Sequence, residues 1–198
     1  MKVNQMPNLF TPKFNVGNIL PEIESMLKQF DYQGPTDQDD PINRIAMGIM
    51  RDDFSRDMLG KRYTNIYQFK AEGRQFYLCD RTMYTSVETR QHMCLLAAGK
   101  SFPLGFEITN DEYFINNDCD TVDTMGEWNI RLEQPDEYEG NKSFLLSIMH
   151  HCERFSTSSN PVSFFSFPED HILGYHVSGR PIAPDEADSA VALLQRIP

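Results

Sequence analysis

No apolar run in this sequence approaches the roughly 18–20 residues that a membrane-spanning helix needs, so no helical span is expected. The opening stretch, MKVNQMPNLFTPKFNV, has one early Lys followed by polar residues and two Pro. It lacks the apolar stretch of roughly 7–15 residues that makes a signal peptide. Both points lead to the expectation of a cytoplasmic protein that neither crosses nor binds a membrane. Cysteine is sparse: Cys79, Cys94, Cys119 and Cys152. With no secretion signal, these read as buried thiols rather than a disulfide framework.

Catalytic and cofactor motifs are lacking too. There is no G-x-S-x-G elbow, no P-loop and no G-x-G-x-x-G, so Ser-elbow hydrolysis and the two commonest nucleotide sites are not indicated. No internal repeat or low-complexity tract occurs. Basic residues are few as well, 18 against 29 acids, for a net charge of −11.

What is present is the composition of a folding chain: 198 residues, 40% apolar and 12% aromatic. That length suits one well-buried core, so residues 1–198 are expected to form a single domain, with 1–16 as a loosely attached arm. Residues 18–30 carry Ile19, Leu20, Ile23, Met26, Leu27 and Phe30 at helical spacing, with Asn18 as cap. DYQGPTDQDD follows as loop. Asp40-Pro41 opens a second helix, expected to run to about Leu59 and to end at Gly60.

Aromatic-rich runs around Ala71-Glu72-Gly73-Arg74 predict a hairpin. Residues 85–98 stay ambiguous. Thr85 with Glu88 fits a capping box, whereas HMCLLAA fits a buried strand. Leu104–Thr109 and Tyr113–Ile115 flank Asn110-Asp111 as a further hairpin, and Trp128–Leu132 reads as a strand. SFLLSIMHHCERF after Asn141 reads as a helix, Val162–Phe167 and Ile172–Val177 as two strands, and the stretch from Pro184 to Ile197 as a closing helix with acids in its first turn. Strands and helices do not alternate regularly. The expected fold is therefore α+β: an antiparallel sheet with about four helices packed on it.

The C-terminal stretch Ile182-Ala183-Pro184-Asp185-Glu186, with Leu193-Leu194, is similar to the tail of suppressor-of-fused-like domains, some of which serve as bacterial immunity proteins. That likeness is confined to this stretch, and any helix opened by Pro and two acids shares it.

The charge is segregated. Residues 61–100 are net positive, with seven bases to three acids. Residues 101–140 hold Glu107, Asp111, Glu112, Asp118, Asp120, Asp123, Glu127, Glu133, Asp136, Glu137 and Glu139 against Arg131 alone. Such a face repels nucleic acid and anionic lipid and attracts a basic protein surface. The functional expectation is a non-enzymatic inhibitor of the immunity-protein, antitoxin or counter-defence type. Asp111, Glu112, Asp118, Asp120, Asp123, Glu127, Asp136 and Glu137 would dock it on a basic partner such as a nucleic-acid enzyme. Trp128, Tyr113 and Tyr138 would be desolvated anchors. The bland alternative is a solvated face that keeps the chain soluble.

Other constellations are less complete. Asn116, Asp118, Asp120 and Glu127 match positions one, three, five and twelve of a calcium loop, but Thr121 stands where that loop needs Gly. No metal or cofactor is expected. His92-x-Cys94 and His150-His151-Cys152 offer zinc ligands at poor spacing, because residues two apart on a helix point in nearly opposite directions. His176-Val177-Ser178 is one half of a two-histidine phosphoesterase pattern that has no second half. Phe165 and Phe167 are expected inward on their strand and Phe164 outward. A small hydrolase with a Cys/His site assembled in space is the alternative function, and self-association is a third.

Overall fold

The structure, a computed structural model, describes residues 21–37, 39–49, 63–84, 89–99, 102–111 and 118–197. Its frame is one antiparallel sheet. The strands are β1 (Asp31–Pro35), β2 (Tyr63–Ala71), β3 (Arg74–Tyr84), β4 (Thr89–Ala98), β5 (Phe106–Thr109), β6 (Asp120–Met125), β7 (Trp128–Leu132), β8 (Val162–Phe167) and β9 (Ile172–Ser178). They lie in the order β1-β2-β3-β4-β9-β8-β5-β7-β6. The helices are α1 (Pro21–Leu27), α2 (Pro41–Ile49), α3 (Tyr138–Glu153) and α4 (Pro184–Arg196). The α+β class therefore stands, with the sheet as its larger part.

Alternation along the strands sorts side chains onto two faces. Tyr67, Phe69, Phe76, Leu78, Met93, Leu95, Phe106, Ile108, Ile130, Phe164, Leu173 and Tyr175 share the first face, where α1, α3 and α4 cover them with Met26, Leu145, Ile148, Cys152, Ala187 and Leu194. The second face is covered in part by α2. There Ile42 and Ala46 pack on Ile66, Cys79, Cys94, Leu96, Phe165 and Ile172. Asp40 accepts a hydrogen bond from the Ile42 N–H at 2.9 Å, the N-cap expected of it.

Several expectations need correcting. DYQGP is a strand, not a loop: it pairs with β2 along the sheet edge through a bulge at Gly34. From Thr89 onward the ambiguous stretch is strand β4, held between β3 and β9. β5 is paired on both sides, with β8 and β7, so no hairpin forms across Asn110-Asp111. Phe164 is fully buried, because this part of the sheet is covered on both faces. Residues 1–20 and 50–62, the Thr85–Glu88 pair, and Tyr113–Ile115 lie outside the described residues. The β2–β3 turn is as expected. Glu72 and Gly73 both take positive φ, at 50° and 78°, as a two-residue hairpin turn requires.

Two packing devices hold the centre. Gly174 on β9 faces Phe165 on β8. A Cβ at Gly174 would fall inside the Phe165 ring, so the glycine is required for the ring to lie flat on its neighbour. On the other face Glu186, buried in the first turn of α4, takes Arg180 on both carboxylate oxygens, at 2.5 and 2.9 Å. It also accepts the Tyr175 hydroxyl at 2.6 Å. Arg180 further donates to the Phe155 carbonyl at 2.8 Å, tying α4 to the end of α3.

Gly174→Ala is expected to cost about 1–3 kcal/mol in urea denaturation, because the ring must move. The cost should largely vanish in a Phe165→Ala background. Arg180→Ala leaves the Glu186 carboxylate buried without its main counter-charge and is expected to cost about 3–5 kcal/mol, the range for a broken buried pair. A change under 1 kcal/mol in the same assay would show that water enters to solvate the carboxylate.

Candidate functional site: an acidic sheet edge

β6 and β7 form a hairpin closed by Gly126, which takes φ 61°. Trp128, Ile130 and Leu132 point into the core, so β7 is anchored and β6 is carried outside it as the last strand among the described residues. A short 3-10 turn (Pro135–Glu137) then leads into α3. Asp118, Asp120, Glu127, Glu133, Asp136, Glu137 and Glu139 are all exposed along this one edge.

Arg131 is the single base in the acidic stretch, and it is turned away from that surface. It reaches inward to the fully buried Glu107 at 3.2 Å and donates to the Cys119 carbonyl at 2.7 Å. The only basic residue available within the stretch is thereby spent on a core carboxylate. The bases Lys70, Arg74 and Arg81 sit on β2 and β3. Even β4 is five strand spacings from β6, about 24 Å at about 4.8 Å each, well beyond a Debye length of about 8 Å. These three are too distant to neutralise the edge.

The crowding of like charge is visible in one carboxyl. Glu133 is raised above its usual range, first by desolvation over Gly105, then by Glu169 and Asp118. Asp123 behaves differently. It accepts the Tyr138 hydroxyl and the Thr124 N–H, and with Lys142 nearby it is held below the usual carboxylate range. Lys142 Nζ lies 5.1 Å from the centre of the Tyr138 ring.

The edge is blunted against strand addition. It carries acids, has a bulge between Thr121 and Asp123, and a carboxylate caps one of its N–H groups. Contact with another protein through it would be by side chains.

The expected site residues divide as follows. Asp118, Asp120, Glu127, Asp136 and Glu137 are exposed, on β6 or in the turns next to β6 and β7, and Asp123 lies half-buried on β6. Asp111 is buried, so it is not part of a docking face. Trp128 and Tyr138 are buried as well, since both pack in the main core, and neither is an exposed anchor. Glu112, Tyr113 and Asn116 lie outside the described residues. Asp120 opens β6 while Glu127 sits in the turn beyond its far end, so an extended strand, rather than a loop wrapped round an ion, separates these two calcium candidates.

Sequence reasoning missed β6 and the Glu107–Arg131 pair. Thr121-Val122-Asp123-Thr124-Met125 before Gly126 was a usable hairpin signal. A lone Glu within FEIT was a hint of a buried partner.

The Cys/His alternative meets unfavourable chemistry. All four cysteines are free and buried. Burial pushes each thiol up, Cys119 to about 12, so none is a thiolate at neutral pH. His92 and Cys94 share the second face of the sheet, because residues two apart on a strand point the same way. Cys94 lies directly opposite His176. The His92 and His176 rings stack at 5.5 Å and 12°. On α3, Cys152 is buried and His150 is exposed against Glu153 at 2.9 Å. His151 Nε2 is 3.2 Å from Ser189 Oγ. Among the described residues, no group of three or more His, Cys, Asp or Glu is placed to hold a metal ion. None of their helices is long and apolar enough to cross a membrane.

Comparison of the chain with protein-family models, curated proteins and solved structures finds no match in any of the three.

His176 gives a test of pH dependence. Burial first, then the neighbouring His92, lowers its pKa well below the ordinary value. An unfolded His titrates near 6.5, so the unfolded chain takes up a proton there that the folded chain refuses. Stability is therefore fully present above about pH 6.5 and falls as the pH drops below it. The slope approaches about 1.4 kcal/mol per pH unit. His176→Phe is expected to remove that slope between pH 6.5 and 5.5 in denaturant titrations; an unchanged slope would assign the acid sensitivity elsewhere.

Proposed function

We propose that this chain is a non-enzymatic binding protein of the inhibitor type, whose β6–α3 edge docks on a basic protein surface such as the substrate channel of a nucleic-acid enzyme. The single observation that carries the proposal is the inward turn of Arg131 onto Glu107. It commits the one base of residues 101–140 to a buried carboxylate, while Asp118, Asp120, Glu127, Asp136 and Glu137 are exposed. Glu133, raised in part by Glu169 and Asp118, adds that like charges crowd at this edge. A purely solubilising surface gains nothing from such crowding, whereas a charge-complementary contact relieves it and is steered by it. The protonated state of the four thiols weighs against the cysteine hydrolase.

In a pull-down from the native source at low salt, the triple variant Asp120→Lys, Glu127→Lys, Asp136→Lys is expected to lose basic proteins that the wild type retains. With the recovered partner, raising salt from about 50 to 300 mM is expected to slow association tenfold or more, since screening shortens the reach of the edge. Retention by the variant, or an association rate indifferent to salt, would remove the proposal.

A further inference from the structure

Cys79 on β3 and Cys94 on β4 stand directly opposite each other. Opposite residues of an antiparallel pair project to the same face, here the second, where both thiols belong to the cluster that α2 covers with Ile42 and Ala46. The kind of pair follows from the backbone. Gly179 N–H donates to the Gln91 carbonyl at 2.8 Å. Odd-numbered residues of β4 therefore bond to β9, and even-numbered ones, Cys94 included, bond to β3. The Cα atoms of such a hydrogen-bonded pair lie about 5.5 Å apart, within the commonest range across a disulfide. Their Cβ atoms lie about 1 Å farther apart than a relaxed disulfide places them, so a bond here forms under strain and is readily reduced again. The other two thiols are placed differently. Cys152 lies in the first-face core on α3, and Cys119 precedes β6, its carbonyl bound by Arg131.

Both thiols are fully buried, and burial pushes both upward, so neither is a thiolate in the closed protein. Access to them depends on α2. That helix has nine residues, too few to persist without its packing. It rests on the second face through a few apolar side chains, whereas β3 and β4 are each held by hydrogen-bonded ladders on both sides. Lifting α2 therefore costs less than parting the strands beneath it.

We propose that Cys79 and Cys94 are the site of a reversible cross-strand disulfide, formed when α2 lifts from the second face and a low-molecular-weight disulfide reaches the pair. One cysteine thiolate attacks a sulfur of the oxidant, and half of the oxidant leaves as a thiolate. The second cysteine thiolate then displaces the other half from the mixed disulfide. Two protein thiols are oxidised and one small disulfide is reduced to two thiols. The two cysteine protons pass through solvent to the departing thiolates. The site does not depend on the function proposed for the acidic edge.

The test treats the full chain with glutathione disulfide, quenches with acid, alkylates the remaining thiols and maps the peptides by mass spectrometry. The expected product has lost two hydrogens, joins Cys79 to Cys94, leaves Cys119 and Cys152 open to alkylation after unfolding, and reverts with dithiothreitol. Cys94→Ala is expected to prevent it and Cys152→Ala to leave it intact. Ile42→Val loosens α2 and is expected to speed the oxidation several-fold. Ile148→Val, the same change in α3 on the first face, is expected to leave the rate as it is. All four thiols left open to alkylation, or a stable product other than the Cys79–Cys94 bond, overturns the proposal. So does an Ile42→Val chain that oxidises no faster than the wild type, or equal acceleration by the two valine variants, which would place the route through global unfolding.

Discussion

The pairing of Arg131 with Glu107 inside the sheet governs how the acidic edge presents itself. Glu107 sits on β5, a strand of four residues that are all buried and that joins the β8 side of the sheet to the β7–β6 hairpin. A carboxylate at such a position is tolerable only with a partner, because an unpaired buried charge costs several kcal/mol. Arg131 is directly opposite on β7 and supplies it. The same bond therefore settles the core and commits the one base of residues 101–140 to it. Structural necessity on one side of β7 produces electrostatic character on the other.

The two faces of the sheet are built by different means. The first is a continuous apolar layer under three helices, with one buried polar knot at Tyr175, Arg180 and Glu186 fixing where α4 begins. The second mixes apolar contacts under α2 with buried His176, Ser163 and Thr109, the last two hydrogen-bonded at 2.6 Å. Burial sets the chemistry of what lies there. It keeps the thiols of Cys79 and Cys94 protonated and His176 neutral, so groups that look reactive in the sequence are held in their inert forms. Charge and reactivity are thus sorted in opposite ways: carboxylates outward to the β6 edge, thiols inward beneath helices.

Local patterns were legible where one residue period governed a whole element. The apolar stripe of α3, the acids opening α4, the turn at Glu72-Gly73 and the β8–β9 pair could be read directly, since each depends on neighbours within a few residues. Elements whose state depends on a distant strand were not. Asp31–Pro35 is rich in turn formers and becomes a strand only because β2 offers it an edge. The HMCLLAA run fits helix or strand equally until β3 and β9 flank it. Alternation alone places Phe164 outward because it assumes one wet face, whereas helices cover the face it points to. Trp128, which composition alone offers as an anchor for a partner, anchors β7 in the core.

The segregation of charge along the chain was determined by composition and order alone, since any fold must carry eleven carboxylates and one guanidinium through residues 101–140. So were the period-driven helices and the antiparallel class. Tertiary structure alone decided which carboxylates face water. It buries Glu107 and Asp111 and leaves Asp118, Asp120, Glu127, Asp136 and Glu137 exposed. The physical reason is that burial and counter-charge are properties of strand neighbours. Those neighbours, β5 with β7 and β8, are separated by about 20 to 60 residues in sequence and by a single hydrogen-bonded spacing of about 4.8 Å in space.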